Sequence, residues 1–391
     1  MASKSKVKPK FNIQKYFKFT EKGAKIDMPI FLITMTILVF GLIMLYSASY
    51  VVGIYRFHGD SLHYIKDQVR STVLGVAAML FASKVDYHVY RRWAFSLLIL
   101  VYILLVIVLF MPAYKGCHRW ITIKGIGTFQ PSEIAKFVVI LIFAHMIEKN
   151  YNKMKTFQYG IAPFLIILVS IVALMFFEPH LSGIVIISTV SAIMMFIGGS
   201  DVKWFGIGLA IIAAAIISVI IIFPESVSYA QSRVEMWLHP ERDLKGAGYQ
   251  AYQSLLAIGS GGLFGLGLGN GRQKHLHLPE PQNDFIFSVV CEELGFVGGI
   301  AVIALFIALF LRGIYIATRA KDKFGAMLVI GIVSQIALQA FLNVAVATGT
   351  VPTTGISLPF FSEGGTSLVM LLGEMGIVLS VSRYANLEKE E

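Results

Sequence analysis

The residue best placed to do chemistry in this chain is a single acid. Asp284 closes the polar run Leu278-Pro279-Glu280-Pro281-Gln282-Asn283-Asp284 and stands directly before the apolar run Phe285-Ile286-Phe287. A carboxylate at the edge of hydrocarbon is costly to desolvate, so its presence implies a task. Position alone leaves two. Asp284 could cap the apolar helix expected to start at Phe285, a contribution of about 1 kcal/mol, or it could take part in catalysis.

Further polar clusters interrupt the apolar sequence. Gly116-Cys117-His118-Arg119-Trp120-Ile121 is followed by Phe129-Gln130-Pro131-Ser132-Glu133-Ile134-Ala135-Lys136. Glu133 and Lys136 are three apart, so on a helix they share a face and can pair. An ion pair just inside a span faces the bundle interior or a wet cavity. That fits a packing role, a substrate path, or both. Phe177-Glu178-Pro179-His180-Leu181 lies between two apolar runs, with Pro179 making the turn. No second His or Cys sits four residues beyond His180, so its spacing is not that of a metal ligand.

The stretch from Pro224 to Asn283 is the longest polar interruption, and a connection of that length is uncommon without a function. It holds Arg233, Arg272, Lys274 and Glu280. Tyr249 to Ile258 reads as a short amphipathic helix at the membrane surface. The glycine run Gly259 to Gly271 lacks the βαβ setting of a nucleotide-binding loop. Tight, partly re-entrant backbone is the better use of those glycines. Gly349 to Gly355 and Leu358 to Gly365 are dense enough in Pro and Gly to break a helix. Broken backbone at membrane depth is tolerated only where protein buries it or it lines a cavity.

The elements that must position these groups follow from composition. Of 391 residues 56% are hydrophobic and 14% charged, which makes this an all-α polytopic membrane protein. The expected spans are Met28–Val51, Ile65–Ala82, Trp93–Met111, Ser132–Ile147, Phe164–Phe177, Leu181–Ile197, Trp204–Phe223, Phe285–Leu311, Gly325–Ala345 and Thr366–Val381. Ten spans put both termini on one side. Basic residues collect in the N-terminal tail and in the short loops around Lys84, Arg91, Lys149, Lys203, Arg319 and Arg383, so that side is cytoplasmic. The organisation expected is a basic cytoplasmic tail over 1–25, one membrane domain over 26–384 and a short tail over 385–391. A large extracellular loop, 224–284, then joins helices 7 and 8. The net charge of +10 is spread over these loops rather than on one soluble face, so it does not point to nucleic acid. The run after Lys22 and Lys25 is long for a signal peptide and reads as an uncleaved first helix. Cys117 and Cys291 fall in an outer loop and a span, and no disulfide framework or Cys-based metal site is expected.

Taken together these residues resemble the SEDS family (shape, elongation, division and sporulation), whose members include FtsW, RodA and SpoVE. The resemblance runs from Asp27 to Arg383. It rests on Met44-Leu45-Tyr46-Ser47-Ala48-Ser49, Asp86-Tyr87 with Arg91-Arg92, Arg119-Trp120-Ile121, and Gln130-Pro131-Ser132-Glu133 with Lys136. It continues through Gly248-Tyr249-Gln250 with Gln253-Ser254, Leu278-Pro279-Glu280, Asp284-Phe285-Ile286-Phe287, Glu292-Glu293-Leu294-Gly295 and Pro352 to Gly365. Pro281-Gln282 after Glu280 is more similar to the FtsW and SpoVE branch than to RodA.

The resemblance implies a multi-pass protein of the bacterial cytoplasmic membrane that polymerises peptidoglycan at the outer face. The substrates it implies are lipid II and a growing glycan on undecaprenyl diphosphate. The acceptor's 4-hydroxyl would attack the donor's anomeric carbon with inversion. The family's essential aspartate falls on Asp284, which would then be the general base. The diphosphate leaving group needs cations, for which Arg119, Lys124, Arg233, Arg272 and Lys274 are candidates. Glu133, Lys136 and Glu280 complete the expected substrate-binding set. A class B penicillin-binding protein is the implied partner. A divalent metal, Mg or Mn, carried on the lipid diphosphate would leave little trace among the carboxylates, and no protein-only metal site is read. Departures from the family pattern are Asn283 for Thr, His180 for Asp, Glu363 for an aromatic residue, and Asp67 for Arg in Lys66-Asp67-Gln68. Two other functions stay open on the residues themselves. Glu133, Lys136, Glu178 and Glu374 inside spans suit a lipid II flippase or transporter, though no inverted repeat is evident. A non-catalytic scaffold would leave Asp284 as a cap.

Overall fold

The computed structural model describes residues 25–112, 119–123, 127–178, 180–210, 235, 237–242 and 248–385. Lys124, Arg233, Cys117, Pro179, nearly all of the basic tail, the distal part of the seventh expected span and much of the long loop lie outside the described residues. The described chain is helical apart from one small hairpin. Its helices are α1 (Met28–Arg56), α2 (His63–Ala82), α3 (His88–Leu109), α4 (Pro131–Asn150), α5 (Ala162–Phe177) and α6 (Leu181–Ile197). They continue with α7 (Tyr249–Ser260), α8 (Ile286–Thr318), α9 (Lys323–Ala347) and α10 (Gly365–Tyr384). Residues 202–210 are helical at the start of the seventh expected span. Between α3 and α4, β1 (Ile121–Ile123) pairs antiparallel with β2 (Gly127–Phe129), Thr122 opposite Thr128.

Among the described residues six helical segments are long and apolar enough to cross a membrane: α1, α3, the stretch Phe157–Phe177 that includes α5, α8, α9 and Gly365–Ser382 of α10. The other expected spans are less apolar or shorter for visible reasons. Lys66, Asp67 and Arg70 sit on α2, and Glu133, Lys136 and Glu148 on α4, while α6 has 17 residues. Burial sorts the bundle into a centre and a rim. The apolar window of α9 is 72% buried and that of α10 67%, against 28% for α3. α4 belongs with the centre, since its buried residues cover every face from Pro131 to Ile147. Small residues bring helices close, as packing without a hydrophobic driving force requires. A Cβ on Gly376 of α10 would stand 2.4 Å from the Met79 carbonyl oxygen of α2.

α1 and α8 run antiparallel and are joined at both ends and in the middle. Arg56 pairs with Glu280 at 3.0 Å just before α8, and Ser47 meets Glu293 within its second turn. Asp27 caps α1 through the Ile30 N–H at 3.0 Å and pairs with Arg312 at 2.6 Å near the far end.

α8 is broken at Gly295, whose φ of 69° and ψ of −166° leave the helical region. The break frees backbone groups that hydrocarbon would leave unsatisfied. The glycine run supplies their partners. Leu266 N–H donates to the Glu292 carbonyl and Gly267 N–H to the Glu293 carbonyl, each at 3.0 Å. In return Phe296 N–H donates to the Gly262 carbonyl at 2.9 Å and Val297 N–H to that of Leu263 at 3.2 Å. Approach this close excludes side chains: a Cβ on Gly265 would lie 2.1 Å from the Glu293 carbonyl oxygen. The glycines thus serve the tight backbone use expected of them.

Two of these glycines separate strain from contact. Gly262 (φ 55°) and Gly265 (φ 80°) both sit in the left-handed region, but a Cβ on Gly262 meets nothing within 4 Å. Gly262→Ala is expected to lose about 1 kcal/mol, the left-handed penalty alone. Gly265→Ala adds a backbone clash and should lower the Tm of the detergent-purified protein further. Equal shifts for the two variants would show that the clasp on α8 does not contribute.

Candidate active site

The structure corrects the cap reading of Asp284. α8 starts at Ile286, one residue later than expected, and Phe285 occupies the cap position with no side-chain cap hydrogen bond. The Phe285 carbonyl takes the first helical hydrogen bonds, from Ser288 N–H at 3.0 Å and Val289 N–H at 3.4 Å. Asp284 therefore lies one residue outside the position from which a side chain caps the helix. It is half-buried, and a Cβ added to Gly355 would stand 3.5 Å from its Oδ2.

Its main chain is held from α9 and from the broken segment before α10. Asn343 Nδ2, fully buried on α9, donates to the Asp284 carbonyl at 2.8 Å and to the Ile356 carbonyl at 2.6 Å. Ser362 Oγ donates to the Asn283 carbonyl at 2.5 Å, and the Glu363 N–H to the Gln282 carbonyl at 2.9 Å. Residues 282–284 are thus fastened to residues 356–363 through consecutive carbonyls. The broken segment is itself wedged in the bundle, as irregular backbone at this depth must be. Phe361 is fully buried against Phe40 of α1 at 5.4 Å, edge to face, and near Phe306 of α8.

Glu280 holds the approach to Asp284. Its Oε1 pairs with Arg56, and its Oε2 accepts from Asn283 Nδ2 at 2.8 Å and Gln282 Nε2 at 3.2 Å. The residue at 283, where this chain departs from the family pattern, is thereby tied to the acid three positions earlier.

Glu133 and Lys136 pair as their spacing predicts, at 2.8 Å, both buried near the start of α4. Ser367 Oγ of α10 donates to Glu133 Oε2 at 2.8 Å, and Lys136 Nζ reaches Gln339 Oε1 at 3.3 Å. Gln339 Nε2 donates to the Ser357 carbonyl at 3.1 Å. Gln339 and Asn343 are four apart on α9, so one helix face addresses two adjacent residues, Ile356 and Ser357. One amide leads to Asp284 and the other to the Lys136–Glu133 pair. Sequence reasoning missed both amides. Their signal was a pair of polar residues at helical spacing in an apolar span.

The basic candidates are dispersed. Arg119 is half-buried and its Nε donates to the Glu178 carbonyl at 3.2 Å. Burial pushes the Glu178 carboxyl up to about 8 against the pull of Arg119, and pushes the His180 imidazole down to about 3, with Arg119 adding to the effect. The Glu178 carboxylate oxygens and His180 Nδ1 are buried without a hydrogen-bond partner. Arg272 is exposed, with its N–H donating to Glu292 Oε1 at 2.6 Å. Lys274 has a different place from the one expected of a diphosphate ligand. It is fully buried, its Nζ 2.5 Å from Glu293 Oε1 and 3.0 Å from Ser47 Oγ. An ammonium taken out of water needs such a partner, which removes it from the set available to a lipid phosphate. Among the described residues no group of three or more His, Cys, Asp or Glu side chains could hold a metal ion.

The sequence and the fold are similar to those of known proteins. A family model described as a cell cycle protein, FTSW_RODA_SPOVE, matches residues 28–387. The chain is 40% identical over 373 residues to the stage V sporulation protein E of Bacillus subtilis (strain 168), covering 94% of this chain and 99% of that one. It is 38% identical over 360 residues to a probable peptidoglycan glycosyltransferase FtsW of Geobacter metallireducens, covering 91% and 94%. A solved structure described as the structural coordination of polymerization and crosslinking by a peptidoglycan synthase complex superposes with a TM-score of 0.76. It is 24% identical and covers 93% of this chain and 99% of its own.

The Asn343 fastening can be measured directly. Asn343→Ala strands two carbonyls that the amide now satisfies, and a buried group left unmatched costs about 1–3 kcal/mol. The variant is expected to lower the Tm of the purified protein accordingly. An unchanged Tm would remove Asn343 from the interactions that hold the site.

Proposed function

The chain belongs to the FtsW/RodA/SpoVE family of cell cycle proteins, and we propose that it polymerises lipid II as a peptidoglycan glycosyltransferase with Asp284 as general base. One observation carries the base assignment. Asp284 is a half-buried acid whose main chain is fixed by α9 and the 356–363 segment, one residue before the helix-cap position and with its carboxylate beside the backbone of Gly355. Fixing the main chain leaves the carboxylate at a set depth, which a base must have to meet a hydroxyl on a membrane-anchored sugar.

The reaction balances with one base and one leaving group. The acceptor 4-hydroxyl oxygen forms a bond to the donor's anomeric carbon as the bond from that carbon to the diphosphate oxygen breaks. The bonding pair leaves on the lipid diphosphate. Asp284 takes the hydroxyl proton and later releases it to water. Displacement from the face opposite the leaving group turns an α-linked donor into a β-linked glycan. Arg119 and Arg272, with Lys124 and Arg233, supply positive charge for the departing diphosphate. The Glu133–Lys136 pair and Glu280 shape the substrate site. A Mg or Mn ion belongs here as a companion of the diphosphate rather than as a resident of a protein site. The chain works in the bacterial cytoplasmic membrane with ten spans and cytoplasmic termini, and a class B penicillin-binding protein crosslinks its product. The synthase-complex neighbour, whose description joins polymerization to crosslinking, supports that partnership.

The test uses the full chain co-purified with its cognate penicillin-binding protein and supplied with lipid II, with products resolved on a gel. Wild type yields long glycan, and Asp284→Asn, folded by Tm and chromatography, loses about 10²-fold or more in rate. Equal polymerisation by the variant would sink the base assignment. Absence of glycan from wild type, together with lipid II crossing vesicles, would favour a flippase. In the same assay EDTA is expected to suppress synthesis and added Mg or Mn to restore it. Synthesis indifferent to both would end the metal proposal.

A further inference from the structure

Lys274 and Glu293 form an ion pair in which neither side chain is exposed. Both ions would be expensive to bury for packing alone, because an apolar pair of similar volume usually serves stability as well or better. The location of the pair indicates what else it does. Lys274 lies ten residues before Asp284 and Glu293 nine residues after it. The pair therefore closes the neck of a loop, 274–293, with the acid near its midpoint. From Ile286 to Glu293 the second limb is rigid helix, so the neck sets where the first limb begins relative to that helix.

The neck is bound to its surroundings on every side. Ser47 Oγ of α1 donates to Glu293 at 2.7 and 2.8 Å from its two oxygens and accepts from Lys274 Nζ at 3.0 Å. Gly269 N–H donates to Glu293 Oε2 at 3.0 Å. Lys274 Nζ also lies 4.9 Å from the centre of the Tyr50 ring, one turn along α1 from Ser47. The neighbouring acid, Glu292, takes the N–H groups of Arg272 and Gln273 at 2.6 and 3.0 Å. Two consecutive acids of α8 thus hold the end of the glycine run and the start of the limb that descends to Asp284. No atom of the pair is available to substrate. A role in the reaction must run through Asp284.

We propose that the Lys274–Glu293 pair, bridged by Ser47, is a positioning device for the glycosyl transfer: it sets the register of the loop that presents Asp284. The proposal rests on the reading of Asp284 as the base. A loop closed by an apolar contact would fold, but it would lack the directional hydrogen bonds that fix register. A displacement of about 1 Å at a reacting group can cost on the order of 10²-fold in rate.

The test compares kcat and KM for lipid II with thermal stability, in the full chain with its penicillin-binding protein. Lys274→Met and Glu293→Gln each leave an unpaired buried group or a lost charge and are expected to lower Tm and kcat together. The double variant K274M/E293Q separates the effects. It is expected to recover Tm, since no charge stays unpaired, while kcat remains roughly 30-fold or more below wild type and KM stays within about threefold. A milder probe that keeps the ion pair, Ser47→Ala, is expected to lower kcat about three- to tenfold with KM nearly unchanged and with a smaller loss of Tm than either single charge variant. Recovery of kcat in step with Tm in the double variant, or wild-type kcat for Ser47→Ala, would overturn the positioning role. Asp284→Asn is run alongside. If it polymerises like wild type, the base reading fails and this proposal with it. If it is inactive while the double variant is fully active, the positioning role alone fails.

Discussion

A buried helix with a polar stripe must find partners for its amide donors, and in this protein that constraint falls on α9. Gln335, Gln339 and Asn343 recur every four residues on one face of a helix with almost no access to water. Inside a membrane bundle an amide that is not hydrogen-bonded is strongly penalised. Each of the three resolves this by reaching a different element. Gln335 donates to Glu374 of α10, Gln339 meets Lys136 of α4 and the Ser357 carbonyl, and Asn343 joins Asp284 to Ile356. α9 is therefore the common reference to which both the acid and the buried ion pair are registered.

Around that reference the protein uses irregular backbone as structure. The segment between α9 and α10 is wedged between α1 and α8 and fastened to the approach to Asp284 by carbonyls and hydroxyls. The break in α8 is repaired by the glycine run, so two non-helical stretches satisfy each other where neither could stand alone. α1 supports the arrangement from outside, held antiparallel to α8 by charged contacts at each end. Polymer chemistry on a lipid substrate needs groups fixed at a given depth yet open to a long acceptor, and backbone clasps provide the first without filling the space needed for the second.

Much of this was legible in the chain. The helical class, most helix positions, the helical stretch after Gly248 and the Glu133–Lys136 pair follow from apolar runs and an i, i+3 spacing, since these depend on local geometry alone. The tight use of the glycines was legible for the same reason, because few other structures tolerate so many. What was not legible depends on distant partners. A cap stays open for Asp284 because it precedes an apolar run, and only the tertiary fastening of its carbonyl shows why the helix starts later. Lys274 reads as a candidate cation for the diphosphate because nothing nearby in sequence reveals that Glu293 and Ser47 converge on it. Gln339 and Asn343 carry no reading in the sequence, since the carbonyls they serve belong to a segment broken in a way that sequence indicates but does not shape.

The groups that grip the main chain at 282–284 are an amide, a hydroxyl and a peptide N–H, none of which gains or loses a proton over the range in which bacteria grow. These three grips on the main chain are therefore indifferent to acidity. They hold 282–284 through groups that carry no titratable proton, unlike the charged contact of Glu280 with Arg56 beside them.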